Sequence, residues 1–249
     1  MNESGWLSLV SRHPLARVPE GWTGIGDDAA VVPLGPGRSL LLATDTLIDG
    51  VDFVLSRDGA AAVGHKALAV NLSDLAAMGG KPTGFLLAVS APPGWTEEAG
   101  RALLDGMLPL ATRYSCPLLG GDTSSTPGPF TVTITVVGEN FGTGICLRSG
   151  ARPGDLLYVT GPLGGSLRGH HLSFRPRLEE ARLAAHKLPV TALLDISDGL
   201  ATDAGHLALA SGAGLLIREA AIPISRDAEA LSREDGRPPL THALQDGED

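Results

Sequence analysis

The sequence predicts an α/β (α+β) protein, and three observations carry that reading. Short apolar runs bounded by Gly, Pro or polar residues recur through the first 140 residues. Two stretches rich in Ala and Leu lie between them with the spacing of helices. Thirty-three glycines and eighteen prolines in 249 residues supply many tight turns.

The strand-like runs are "SLLLATD" (39–45), "TGFLLAVSAP" (83–92), "CPLLGG" (116–121) and "FTVTITVVGE" (130–139). The first helical stretch covers 59–78. The second covers 96–113, where Ala99, Leu103, Met107, Leu110 and Ala111 recur after a Thr96-Glu97-Glu98 start. "RSGARPGD" (148–155) is a polar turn and the best domain junction, dividing the chain into 1–147 and 148–249. Beyond it, "LLYVTG", "LLDIS" and "AGLLIREAAIP" read as strands and "GPLGGS" as a glycine turn. "DGLATDAGHLALASG" reads as a helix closing on glycine, and the tail from 226 begins a further helix.

With 43% hydrophobic and 19% charged residues, the composition is that of an ordinary globular chain. A net charge of −9 argues against nucleic-acid binding, which draws on a basic face, and suits a protein that collects divalent cations. Cys116 and Cys146 lack metal-site spacing and read as buried thiols. The first residues show no secretory signal, and no run of about 18 apolar residues exists to span a bilayer. The expectation is a cytoplasmic protein without membrane contact.

Chemistry concentrates in aspartates placed where apolar runs meet turns. Asp27 and Asp28 stand in "GIGDDAAVV", Asp45 ends "LLLATD", and Asp74 lies in "AVNLSDLAAM" with Asn71 three residues before it. Asp122 follows a double glycine, and Asp195 and Asp198 bracket "DISD". Such acids brought together without cations would raise one another's pKa and oppose folding. Magnesium resolves this, because it prefers carboxylate, water and phosphate oxygens, the arrangement used in phosphoryl transfer. Any one of these aspartates taken alone reads as a turn or cap residue, and only their repetition points to a shared site. No "GxxxxGK[ST]" loop, "GxSxG" elbow or H-E-x-x-H zinc motif is present. "GIGDDA" fits GxGxxA only loosely, since its acids would repel a pyrophosphate.

Taken in order, "GIGDDAAVV", "ATDTLIDGVDF", "HKALAVNLSDLAAMGGKP", "LLGGDTS", "RSGARPGDLLYVTG", "HLSFRPRL", "LLDISDGLATDAGHLALASGAG" and "DGED" resemble thiamine-monophosphate kinase. The family belongs to the aminoimidazole ribonucleotide synthetase-like superfamily, and the matching pieces span residues 24 to 249. The resemblance implies a two-domain fold, an amino-terminal mixed sheet with helices (1–147, binding ATP and Mg and forming the dimer) and a second, abbreviated α+β domain (148–249). It implies a homodimer through the amino-terminal sheets. The implied reaction is direct in-line transfer of the ATP γ-phosphate to thiamine phosphate with several Mg²⁺ ions and no covalent nucleophile. ATP is the co-substrate.

Carried over by motif, Asp28, Thr44, Asp45, Asp74, Asp122, Asp195 and Asp198 are expected metal ligands, with Asp27 a further one. Gly121, Asp122, Arg148 and Ser197 are expected ATP contacts, and Glu248 and Asp52 line the substrate. The chain departs from the family at "DGVDF", where Asp52 replaces a histidine that holds the substrate phosphate. Relatives also continue past "GED" with "YEL", so the expectation is either a truncated product or fragment or an abbreviated second domain. Two other readings stay open at this point. One is an enzyme of the superfamily with a different acceptor; the other is a non-catalytic Mg-nucleotide-binding remnant.

Overall fold

Two apolar runs joined by Gly35-Pro36-Gly37 form the hairpin that starts the main sheet, β1 (Ala30–Gly35) and β2 (Arg38–Ile48). In a computed structural model describing residues 3–140 and 144–247, three more strands complete it: β3 (Gly80–Ala91), β4 (Leu118–Ser125) and β5 (Thr131–Asn140). The order is β1-β2-β5-β3-β4, with β3–β4 parallel and the other pairs antiparallel. The four strand runs read from the first 140 residues all lie in this mixed sheet.

Alternation sorts the sheet's two faces. Val132, Ile134 and Val136 of β5 and Leu41, Ala43 and Leu47 of β2 are buried against helices. The opposite face carries a hydroxyl ladder, Thr44 to Thr135 at 3.0 Å and Thr46 to Thr133 at 2.8 Å.

Eight α-helices are found among the described residues. α1 (Glu3–Arg12) leaves Trp6 and Leu7 exposed, and α2 (Leu55–Asp58) is a single turn. α3 (Ala60–Ala77) is apolar on nearly all sides because the sheet, α4 (Glu97–Arg113) and α5 (Leu178–Lys187) surround it. Thr96 caps α4 by accepting the Ala99 N–H, with Glu97 and Glu98 in the first turn and Arg113 in the last. Leu103, Met107 and Leu110 form its buried stripe. α3 and α4 touch backbone to backbone, and a β-carbon on Gly64 would sit 2.0 Å from the Leu103 carbonyl oxygen. One on Gly106 would sit 1.9 Å from that of Ala61.

Past residue 147 the structure corrects the sequence reading. "LLYVTG", "LLDIS" and "AGLLIREAAIP" form no ladder, and the described residues there hold a single bridge, Leu163 to Ile224. Apolar runs become strands only where neighbours take up their N–H and C=O groups. Here Leu156, Tyr158 and Leu216 stay 76%, 80% and 86% exposed. The second half is helical: α5, then α6 (Leu200–Ser211) closing on Gly212 as expected, α7 (Arg226–Asp235) and α8 (Pro239–Gln245). α5 packs on the first core through Leu178 and Ala181. Polar bonds add to this: Arg113 to Glu179 at 2.7 Å, and His65 to the Phe174 carbonyl at 2.8 Å. Leu163, Leu200, Ala204 and Ala243 make a smaller cluster of their own. Cys116 is fully buried and its thiol is pushed up to about 11 by burial; Cys146 is half-buried. Among the described residues no helix is long and apolar enough to cross a membrane.

At an open helix position, Gly→Ala stabilises by about 0.5–1 kcal/mol. At the α3–α4 crossing the sign reverses, and Gly106→Ala is expected to destabilise by about 1–3 kcal/mol in urea unfolding. A stabilised variant would refute the close crossing.

Candidate active site

Gly26 adopts φ +121°, so the chain turns sharply just ahead of the paired acids. The turn sends Asp27 and Asp28 to different tasks. Asp27 accepts the Arg148 backbone N–H with both carboxylate oxygens, each at 3.2 Å. Asp28 is reached by the same residue's guanidinium, with Nε at 3.0 Å from Oδ1 and Nη2 on the same oxygen. Ser211 donates its hydroxyl to the Arg148 carbonyl at 3.1 Å, so both sides of the Arg148 backbone are held.

Asp45 projects from β2 on the helix-facing side, in register with Ile134. Asp74, on the last turn of α3, shares a hydrogen bond with it. Asp195 arrives on the loop before α6, and oxygens of Asp28, Asp74 and Asp195 lie within 4.8 Å of one another. Burial above all, then the charges of Asp45, Asp195 and Asp28, pushes the Asp74 carboxyl up to about 10. Burial also raises Asp28, against the pull of Arg148, and raises Asp27.

This donor set fits a divalent cation. Octahedral Mg²⁺ holds oxygens at about 2.1 Å, so its ligands stand roughly 2.9–4.2 Å apart, within the spread observed. The Asp28 Oδ2 atom is buried with no hydrogen-bond partner among the described residues, as a metal ligand would be.

The other expected residues fall elsewhere. Thr44 stands on the opposite sheet face, its hydroxyl 3.0 Å from the Ile134 carbonyl and paired with Thr135. Gly121 and Asp122 lie on the exposed edge strand β4, three strands and about 14 Å from β2. Asp52 accepts the Ile48 N–H at 2.7 Å, and its carbonyl takes Lys66 Nζ at 2.7 Å. Ser197 is exposed. Glu248 lies outside the described residues.

Asp198 joins a second group with Asp203 and His206, two residues the sequence reading missed. Asp203 accepts the Asp198 N–H at 3.0 Å and stands 3.6 Å from His206. Asp198 follows Asp195 by three residues, so the two groups share one loop. The spacing of three between Asp203 and His206 on α6 was the legible signal.

Carboxyls raised by folding bind more protons folded than unfolded, so their stabilising contribution is lost as pH rises. For Asp74 that loss runs from 3.8 toward about 10. In chelator, the melting temperature should fall between pH 5 and pH 8. Asp74→Asn should flatten the fall and raise Tm at pH 8 by at least about 3 °C in calorimetry. An unchanged slope would refute the shared burial of these acids.

Residues 26–140 match the family model "AIR synthase related protein, N-terminal domain". The chain is 38% identical over 254 residues to a thiamine-monophosphate kinase of Rhodopirellula baltica, covering 99% of this chain and 79% of that one. AaThiL, solved in complex with AMPPCP and TMP, superposes with a TM-score of 0.89 at 31% identity, over 99% of this chain and 82% of that one. The crystal structure of thiamine monophosphate kinase from Aquifex aeolicus gives 0.86 at 30% identity, over 100% of this chain and 87% of its own. With this mixed sheet, this acid cluster and these relatives, the chain belongs to the thiamine-monophosphate kinase family.

Proposed function

We propose that this chain transfers the γ-phosphate of ATP to thiamine phosphate, giving thiamine diphosphate and ADP. The observation that carries the reading is the convergence of Asp28, Asp45, Asp74 and Asp195 with Arg148, in a chain of this family. AaThiL in complex with AMPPCP, an ATP analogue, and TMP supports the choice of substrates.

In this reading an oxygen of thiamine phosphate attacks the γ-phosphorus in line while the bond to the β-phosphate oxygen breaks. Bound Mg²⁺ ions would neutralise charge on the transferred group. Asp28, Asp45, Asp74 and Asp195 would hold them, with Asp198 from the same loop as Asp195 and Thr44 through its backbone. Asp27 fixes Arg148, whose planar guanidinium grips phosphate oxygens in two places. Ser197, on the loop that carries Asp195, adds an ATP contact, whereas Gly121 and Asp122, three strands away on β4, stand outside this cluster. Glu248 binds the substrate, and Asp52 shapes the loop beside it. No protein nucleophile enters, so catalysis consists of positioning and charge neutralisation.

We assign residues 1–147 to dimer, metal and nucleotide contacts, and 148–249 to closing the site from the other side with Arg148, Asp195, Ser197 and Asp198. The protein acts in the cytoplasm, where ATP is held. Two copies pair through the open face of the sheet, whose hydroxyl ladder and 41% exposed Leu86 have no covering helix among the described residues.

Chromatography of ATP and thiamine phosphate with the protein should show thiamine diphosphate only when Mg²⁺ is present. Asp45→Asn and Asp195→Asn should each lower kcat/KM by roughly 10²–10³. Full activity in either variant overturns that residue's assignment, and absence of product alongside Mg²⁺-dependent ATP binding points to another acceptor. Light scattering should give a mass near twice 25.6 kDa, and a monomer would refute the pairing.

A further inference from the structure

The carboxyl-terminal end of α8 meets two glycine turns with no room for side chains. A β-carbon on Gly164 would lie 2.6 Å from the Ala243 nitrogen, and one on Gly199 would lie 2.8 Å from the Gln245 carbonyl carbon. One on Gly247 would sit 1.9 Å from the Ser197 carbonyl oxygen. Gly247, one residue beyond Asp246, therefore rests directly on the backbone of Ser197 and Asp198. That loop carries Asp195 of the acid cluster.

A polar chain runs through the same contact. His242 is fully buried, with Nδ1 3.0 Å from Asp246 Oδ2 and Nε2 3.3 Å from Asp235 Oδ1. Asp246 is itself 7% exposed at its side chain and accepts the Gly165 N–H at 2.7 Å. The cationic ring donates to both carboxylates, whereas the neutral ring donates to one. Nothing in the transfer chemistry uses this histidine. Its position ties the end of α7, α8, the 164–165 turn and the 195–199 loop together.

We propose that His242 is a positioning residue for the 195–199 loop, acting through Asp246 and Gly247 to hold Asp195, Ser197 and Asp198 where metal and nucleotide bind. The inference rests on the reading of the acid cluster as a metal site and adds a residue that does not itself touch the ligands. Residues behind metal ligands commonly shift metal affinity 10- to 100-fold when changed.

The test uses the full chain and Mg²⁺ with ATP as probes. His242→Gln should raise the Mg²⁺ concentration for half-maximal thermal shift about tenfold. KM for ATP should rise in parallel, with kcat changed by no more than about threefold. Asp246→Asn should act in the same direction, and the double variant should be no worse than the worse single one. If His242→Gln does not fold, Asp235→Asn, at a carboxylate that is itself 33% exposed, carries the same expectation. A lowered melting temperature with Mg²⁺ midpoint and KM within about twofold of wild type would overturn the proposal. Wild-type protein that shows no Mg²⁺ shift overturns the metal reading and this inference together. Wild-type protein that binds Mg²⁺ and ATP without making thiamine diphosphate overturns only the acceptor, and shifted variants would still support the role of His242.

Discussion

Four carboxylates, those of Asp28, Asp45, Asp74 and Asp195, share a half-buried space. Two like charges 4 Å apart repel by about 4 kcal/mol at the effective dielectric of a protein surface, so such a group stands only on a scaffold held by other forces. That scaffold is the first core. The sheet fixes Asp45, and α3 is enclosed by apolar contacts so completely that Asp74 cannot swing away. Arg148 brings the compensating charge, its backbone clasped by Asp27 on one side and Ser211 on the other.

The second half of the chain is subordinate to this requirement. α5 lies on the first core and draws the following segment back across it, which delivers Asp195 to the acids of β2 and α3. The junction segment is stitched on both sides: Cys146 N–H to the Met78 carbonyl at 3.2 Å, and Leu193 N–H to that of Leu147 at 2.9 Å. Closure of the site is thus written into backbone hydrogen bonds as well as side-chain packing.

The first half was legible because its elements carry their own signals. Thr96 announces α4, alternation in "FTVTITVV" announces β5, and strand-end aspartates announce the acids. Parity along β2 already separates Thr44 from Asp45, since neighbours in a strand face opposite ways. The separation of Asp122 from the acid cluster was not legible, because it depends on β5 and β3 lying between β2 and β4. The Asp27 bond to a backbone N–H 121 residues away leaves no trace in local sequence. The apolar runs after residue 155 misled for the converse reason. Strand propensity describes a residue's fit to a pleated neighbour, and the neighbour is missing among the described residues.

The glycine contacts of Gly164, Gly199 and Gly247 carry a consequence for how this chain can vary. Each contact is set by backbone atoms, which offer no rotamer through which a neighbour could yield. A side chain at any one of them displaces α8, and that displacement is felt at the other two. Substitutions here are therefore coupled: a change absorbed in one background destabilises the fold in another. The carboxyl-terminal segment and the 195–199 loop must drift together or stay as they are.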